Sequence, residues 1–167
     1  MKRHLLATPE IVREISRHLQ DLVSRSGASG ALLLDESGSL VAKQGQIPGN
    51  DPAELATLLA CNFLVTHELA SYLGDQDISV LFHEGDQMHF YLRRAGERGI
   101  LAIAFDDAGA LGRIQVFVDK AAQALSPMLG DLERQVLPAG TMPAEYPEEA
   151  YELVQKMLRP AAPTVLR

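Results

Sequence analysis

Residues 52–73 read PAELATLLACNFLVTHELASYL, and this stretch decides the fold because it predicts a helix that is apolar on more than one side. Asp51 precedes it as a capping residue, and Pro52 occupies the first helical position. Glu54 stands where its side chain can reach back to the cap amide. Gly74 is typical of the residue that follows a helix. The predicted helix therefore begins at Pro52 and ends just before Gly74.

The apolar side chains of this helix form two sets, and one sheet cannot cover both. The first set is a stripe that we expect to lie on the sheet: Leu55, Leu58, Val65, Leu69 and Leu73. The second set lies off that stripe: Ala56, Leu59, Ala60, Phe63, Leu64 and Ala70. Each Leu, Val or Phe left in water forgoes roughly 1.5 to 3 kcal/mol. The sequence therefore predicts a second protein surface over this helix, first of all a second copy of the chain.

The flanking segments predict one α/β domain, of the α+β kind. Thr8 and Pro9 begin a first amphipathic helix, which a glycine-rich stretch at 27–30 ends. A third helix follows Gly109, and Pro127 is expected to bend or shorten it. Alternation of apolar and polar residues, or an apolar run, predicts strands at 31–35, 40–44, 78–83, 88–93 and 100–105. The last of these is uninterrupted apolar sequence and is therefore expected to be a central strand.

The C-terminal end differs in composition from the rest of the chain. It is rich in Pro and Gly from Leu137, and residues 147–158 predict a short acidic helix with Tyr151, Val154 and Met157 along one side. We therefore divide the chain into a domain at 1–132 and a C-terminal extension at 133–167. The extension is expected either to pack on the domain or to contact a partner.

Composition excludes several classes of function. The chain carries a net charge of −7, and its Lys and Arg residues are scattered, whereas nucleic-acid binding requires a clustered basic surface. Cys61 is the one cysteine and cannot form an internal disulfide, and the N-terminus has too short an apolar run for a signal peptide. No stretch approaches the ~20 apolar residues of a membrane span. We therefore expect a cytoplasmic protein that does not bind nucleic acid and does not span a membrane.

The sequence offers no catalytic or cofactor-binding motif. A phosphate-binding glycine loop followed by Lys and Ser or Thr is absent, and the stretch at 26–30 fails the Gly-x-Ser-x-Gly spacing of a nucleophile elbow. His83, Asp86 and His89 surround a predicted turn and are interpreted as solvated residues rather than metal ligands. Cys61 is interpreted as a small buried hydrophobe. We expect no catalytic residues, no metal and no cofactor.

The order helix, two strands, helix, three strands, helix resembles the roadblock/dynein light-chain family, and within it the bacterial MglB-type proteins. The segments that carry the resemblance lie within about residues 10–130 and are ALLLDESG at 31–38, LATLLACN at 55–62, His83-Glu84-Gly85, residues 88–92, Phe105-Asp106 and Leu111-Gly112. The resemblance implies a five-stranded antiparallel sheet with the first and third helices on one face and the second on the other. It also implies a homodimer with a continuous sheet and adjacent second helices.

The same resemblance implies a function as the activating co-regulator of a small Ras-like GTPase of the MglA type, in cell polarity or gliding motility. Such a regulator supplies no catalytic arginine but orders the switch segments of its partner. The implied partner contacts on the second helix are Thr57, Ala60, Leu64, His67 and Ser71, and those of the extension are Tyr151, Val154 and Met157. Two alternatives remain: a structural adaptor dimer that does not stimulate hydrolysis, and a small-molecule sensor domain.

Overall fold

The computed structural model describes residues 9–75 and 78–136, with side chains up to residue 130. The elements in chain order are α1 Pro9–Ser26, β1 Gly30–Asp35, β2 Leu40–Gly45, α2 Pro52–Leu73, β3 Val80–His83, β4 His89–Ala95, β5 Gly99–Phe105, a short 3₁₀ turn Ala108–Ala110 and α3 Leu111–Val136. The predicted extension at 133–167, including Tyr151, Val154 and Met157, lies outside the described side chains. None of the helices within the described ranges is long and apolar enough to cross a bilayer.

The five strands form one antiparallel sheet in the order β2-β1-β5-β4-β3. The apolar run at 100–105 lies in β5, the central strand, as the sequence predicts. Strands β1 and β5 are buried on both faces, which explains why they lack the alternation of a half-exposed strand. The short strands β2 and β3 form the two edges.

Successive residues of β1 supply the two sides of the core, because neighbouring side chains of a strand point to opposite faces. Leu33 packs with α1 and α3, where Leu19 and Ile114 are buried. Leu32 packs on the other face with Phe63 of α2. The predicted arrangement of two helices on one face and one on the other is confirmed.

Helix α3 differs from its prediction, because it continues through Pro127 to Val136. Proline removes one backbone hydrogen bond and its ring crowds the preceding turn, which in isolation costs ~3 kcal/mol. Leu125 and Leu129 flank it and are both buried in the core cluster that α3 shares with the sheet and α1. Tertiary packing on both sides of Pro127 thus maintains the helix. Of the two predicted effects of Pro127, the shortening of α3 is wrong and the bend stays a prediction.

Candidate functional site

Helix α2 is fixed at both ends by the residues that the sequence indicates. The Asp51 carboxylate accepts a hydrogen bond from the Ala53 amide at 2.8 Å, which satisfies one of the free donors of the first turn. Gly74 adopts φ of 88°, the left-handed conformation of a C-terminal cap, and its amide donates to the Ser71 carbonyl at 3.1 Å. The Thr57 hydroxyl also donates to the Gly38 carbonyl at 3.4 Å. These contacts hold α2 against the β1–β2 turn.

The side of α2 that lies on the sheet is made mainly of small residues. Its buried members are Ala56, Leu59, Ala60, Phe63 and Ala70, and the first four pack with residues of β1, β4 and β5. The alanines allow the helix backbone to approach the sheet, and Leu59 and Phe63 fill the remaining space. The prediction that the whole stripe of larger residues lies on the sheet is therefore wrong. Val65, Leu69 and Leu73 are exposed, although Leu55 of the same stripe is partly buried against this cluster.

The C-terminal part of the stripe assigned to the sheet instead faces solvent. Val65 is 54% exposed, Leu69 56%, and Tyr72, the next residue along the same side, 88%. Leu58 and Cys61 continue the line toward the N-terminus and are half-buried. We call these five residues the outer face of α2. Their spacing of three or four residues keeps them on one side of the helix.

Helix α2 carries most of the large exposed apolar side chains in the described part of the chain, and three of them lie on the outer face. Six large hydrophobic side chains are exposed among the residues that the structure describes, and four of them belong to α2. The charges beside the outer face are Glu54 and Glu68, both exposed, and α2 contains no Lys or Arg. Burial raises the pKa of the Cys61 thiol, which lowers its thiolate fraction at neutral pH and therefore its reactivity. The outer face is thus an apolar surface with an acidic border, suited to protein contact rather than chemistry.

The predicted partner contacts lie along one flank of α2, between its buried side and its outer face. Thr57, Leu64 and His67 are half-buried and Ser71 is exposed. Ala60 is the exception, because it is only 1% exposed and belongs to the core cluster beneath the helix. A partner cannot reach Ala60 without displacing α2, so the structure removes it from the contact set. We define the α2 flank as Thr57, Leu64, His67 and Ser71.

Sequence reasoning missed Tyr72 and misassigned Val65 and Leu69. A signal for the correct side was present, because Ala56, Ala60 and Ala70 mark the side where two backbones approach closely. The assignment was misled by side-chain size, because the larger apolar residues were expected to lie on the sheet. A helix that carries apolar residues all round does not reveal its inward side by hydrophobicity alone.

The edge strand β3 is a second surface with unused bonding capacity. Among the residues that the structure describes it pairs with β4 alone, so its other side has backbone amides and carbonyls without a strand partner in that part of the chain. Leu81 of β3 and Phe90 of β4 are partly buried on the same face of the sheet as α2. Strand pairing at this edge and packing on the outer face of α2 are therefore both open to another chain.

The predicted metal and catalytic candidates do not converge. His83 and Asp86 are exposed, as predicted for turn residues, but His89 is buried between the rings of Phe82 and Phe105, with centroids 6.2 and 5.4 Å away. His89 shares its face of β4 with the core-facing residues, so the prediction that it is solvated is wrong. Across residues 9–75 and 78–130, no group of three His, Cys, Asp or Glu side chains is arranged to hold a metal.

The stretch at 26–30 is the C-terminal end of α1 and the start of β1. Ser26 is fully buried, and its hydroxyl accepts from the Ala28 amide at 3.3 Å. The Arg113 guanidinium of α3 donates to the Ser26 carbonyl at 2.7 Å, which caps α1 and joins the two helices. These contacts assign Ser26 a structural role in the loop.

Comparison with known proteins gives a family match and several structural matches. A model of the Roadblock/LC7 domain matches residues 14–105. Myxococcus xanthus MglB shares 27% identity and superposes with a TM-score of 0.70, covering 81% of this chain and 99% of that protein. The gliding protein MglB of Thermus thermophilus shares 28% identity at a TM-score of 0.71, covering 78% and 99%. A structure of MglB with a tetrameric arrangement shares 29% at 0.72, covering 79% and 99%. No curated protein sequence matched the chain significantly.

Proposed function

The chain belongs to the Roadblock/LC7 domain family, and we propose that it is a homodimeric regulator of a small Ras-like GTPase, without a catalytic site of its own. The observation that carries the proposal is the outer face of α2, where Val65, Leu69 and Tyr72 stay in water in the protomer. Similarity to MglB across four fifths of the chain supports a regulatory role.

The first occupant of the outer face in this proposal is a second copy of the chain. A two-fold axis beside α2 would bring the same apolar stripe to the interface from both protomers. The edge strand β3 offers a second reason for dimerisation. Its outer backbone amides and carbonyls can form ladder hydrogen bonds with a strand of another protomer. Helix packing and strand pairing together would cover both unsatisfied surfaces of the protomer.

The GTPase in this proposal is of the MglA type and is contacted by the α2 flank. Thr57, Leu64, His67 and Ser71 stay accessible beside the outer face, so a pair of α2 helices would present two such flanks together. We propose that this surface orders the switch segments of the GTPase for hydrolysis, since the phosphoryl-transfer chemistry belongs to the partner. A separate contact through Tyr151, Val154 and Met157, and a role in cell polarity or gliding motility, stay predictions.

Single-turnover GTP hydrolysis by purified small GTPases of the same organism tests the proposal. The full chain should accelerate hydrolysis by at least one of them, and Ser71→Arg should abolish the acceleration because it places a long cation on the exposed α2 flank. Ser24→Arg is the matched control, since Ser24 is an exposed helical serine on α1, across the sheet. Unchanged hydrolysis by every small GTPase would remove the activator function.

Nucleotide dependence separates activation from the adaptor alternative. An activator binds the GTP-bound state preferentially, because its contacts must favour the hydrolysis-competent arrangement. An adaptor would bind the GDP and GTP-analogue forms equally and leave hydrolysis unchanged. Equal capture of both forms would therefore support a scaffold dimer in place of an activator.

A further inference from the structure

A cationic cleft lies between α1 and α3, on the opposite side of the sheet from α2. Its walls are His18, Asp21, Leu22, Arg25, Phe117 and Lys120, and its volume is about 90 Å³. That volume is well below the ~300 Å³ of a small cofactor site. It is large enough to accept a side chain of a peptide.

Two cations converge on one aromatic ring in this cleft. The Arg25 guanidinium carbon lies 5.1 Å and the Lys120 ammonium 5.8 Å from the centroid of the half-buried Phe117 ring. Asp21 accepts from Arg25 at 3.3 Å and offsets one of the two charges. Arg113, one helical turn before Phe117, adds a third cation on α3. The seam between the helices is therefore positive in a chain whose net charge is −7.

The chain itself contains a segment of matching chemistry. Residues 145–152 read EYPEEAYE, with four glutamates, two tyrosines and no cation. Glutamates complement Arg25 and Lys120, and a tyrosine ring offers a further face for either cation. No other eight-residue stretch of the sequence carries four acidic residues without a basic one.

The geometry of the chain allows this segment to reach the cleft. The described part of helix α3 reaches Val136, sixteen residues after Lys120, which corresponds to ~24 Å at 1.5 Å per residue. Residues 137–144 provide eight residues, which span at most ~26 to 29 Å when extended. The connection is therefore just long enough for residues 145–152 to turn back along α3.

We propose that residues 145–152 dock on the cleft formed by α1 and α3 of their own chain. This docking requires neither a GTPase nor a second copy of the protein, so it stands apart from the proposed function. It would hold the extension on the face of the domain opposite α2. Residues 145–152 would then have to leave the cleft before Tyr151 could contact another protein.

Zero-length carbodiimide cross-linking of the full chain tests the docking, because it joins only carboxylates and amines in contact. Lys43 is the internal control, because it is exposed on β2 and lies on the other side of the sheet from the cleft. Its partner in the strand ladder is Leu32, whose side chain packs on the α2 face. Peptide mass spectrometry should find residues 145–152 linked to Lys120 in clear excess over Lys43. Equal linkage to both lysines would overturn the proposal.

An equal mixture of ¹⁴N- and ¹⁵N-labelled protein identifies the source of the segment. Docking within one chain gives linked peptides of a single isotope, whereas exchange between copies gives mixed pairs. Mixed pairs at their statistical share would assign the cleft to the extension of a second copy and refute docking in the same chain.

Hydrogen exchange of the full chain provides an independent measurement. Arg25→Glu reverses one charge of the cleft and should raise amide exchange in 145–152 roughly fivefold, the effect of losing one exposed ion-pair contribution. Arg17→Glu is the matched control, because Arg17 is an exposed arginine of the same helix outside the cleft. Exchange that is already unprotected in the unaltered chain, or equal in both variants, would refute the docking.

Discussion

Replacing Val65 by alanine tests whether the outer face of α2 pairs with a second copy. The change removes two methyl groups from a side chain that is 54% exposed in the protomer. At ~0.8 kcal/mol for each buried carbon, covering the exposed half is worth ~0.9 kcal/mol per protomer. A two-fold interface contains the residue twice, so Val65→Ala should weaken dimerisation by ~1.7 kcal/mol, or between ~10- and 20-fold in Kd.

Val116 supplies a control of the same residue type in the same environment. It is a valine on a helix, 52% exposed, but it belongs to α3 on the opposite side of the sheet. Val116→Ala should leave the Kd of dimerisation unchanged. Both variants gain the same helix propensity and lose a similar partly buried area, so the thermal stability of the protomer should change by a similar amount in each.

Sedimentation velocity over a dilution series measures both dissociation constants. Weaker association in Val65→Ala with no change in Val116→Ala would support the outer face as the dimer interface. Equal constants for the two variants and the unaltered chain would refute the reasoning, since the exposed half of Val65 would then stay in water in the dimer.

Three further predictions follow from α2. Ala60→Arg should lower the free energy of unfolding by at least ~4 kcal/mol in urea denaturation, because it places a charge and a long side chain in the core. Ala53→Arg, on the exposed side of the same helix, should leave it nearly unchanged. Asp51→Ala should lower the free energy of unfolding by ~1 kcal/mol in urea denaturation, because it removes the bond to the Ala53 amide. Because burial raises the pKa of Cys61, its disulfide-exchange rate should lag behind that of the urea-unfolded chain at pH 8 and approach it as the pH rises; equal rates at pH 8 would contradict the burial.

The fold could be predicted from the sequence because its signals are local and agree with one another. Pro52 and Gly74 mark the ends of α2, and the apolar run at 100–105 indicates the central strand. Each of these depends on backbone conformation or on the period of a single element. None requires knowledge of which neighbour the element meets, so each could be predicted from the sequence, and the structure confirms it.

The candidate site could be predicted only in part, because it depends on which neighbour each side meets. Val65 and Leu69 are as apolar as the buried Leu59, and their sequence positions alone do not rank them. The sheet selects the alanine side because close approach buries more of β1 and β5 than large side chains would permit. His89 was misassigned for a similar reason, since the packing of Phe82 and Phe105 around it is a tertiary property.

The outer face and the flank of α2 are adjacent stripes of one helix. In the proposed function, GTPase binding by the flank therefore depends on dimerisation through the outer face. If the outer faces pair, the two flanks are brought side by side. The complete GTPase-binding surface then consists of both flanks and exists only in the dimer. Val65→Ala should then lower GTPase stimulation only at protein concentrations near its raised Kd, and excess protein should restore it. Ser71→Arg should abolish stimulation at every concentration while dimerisation is unchanged. Loss of stimulation by Val65→Ala that excess protein does not restore would mean that the GTPase binds the outer face itself.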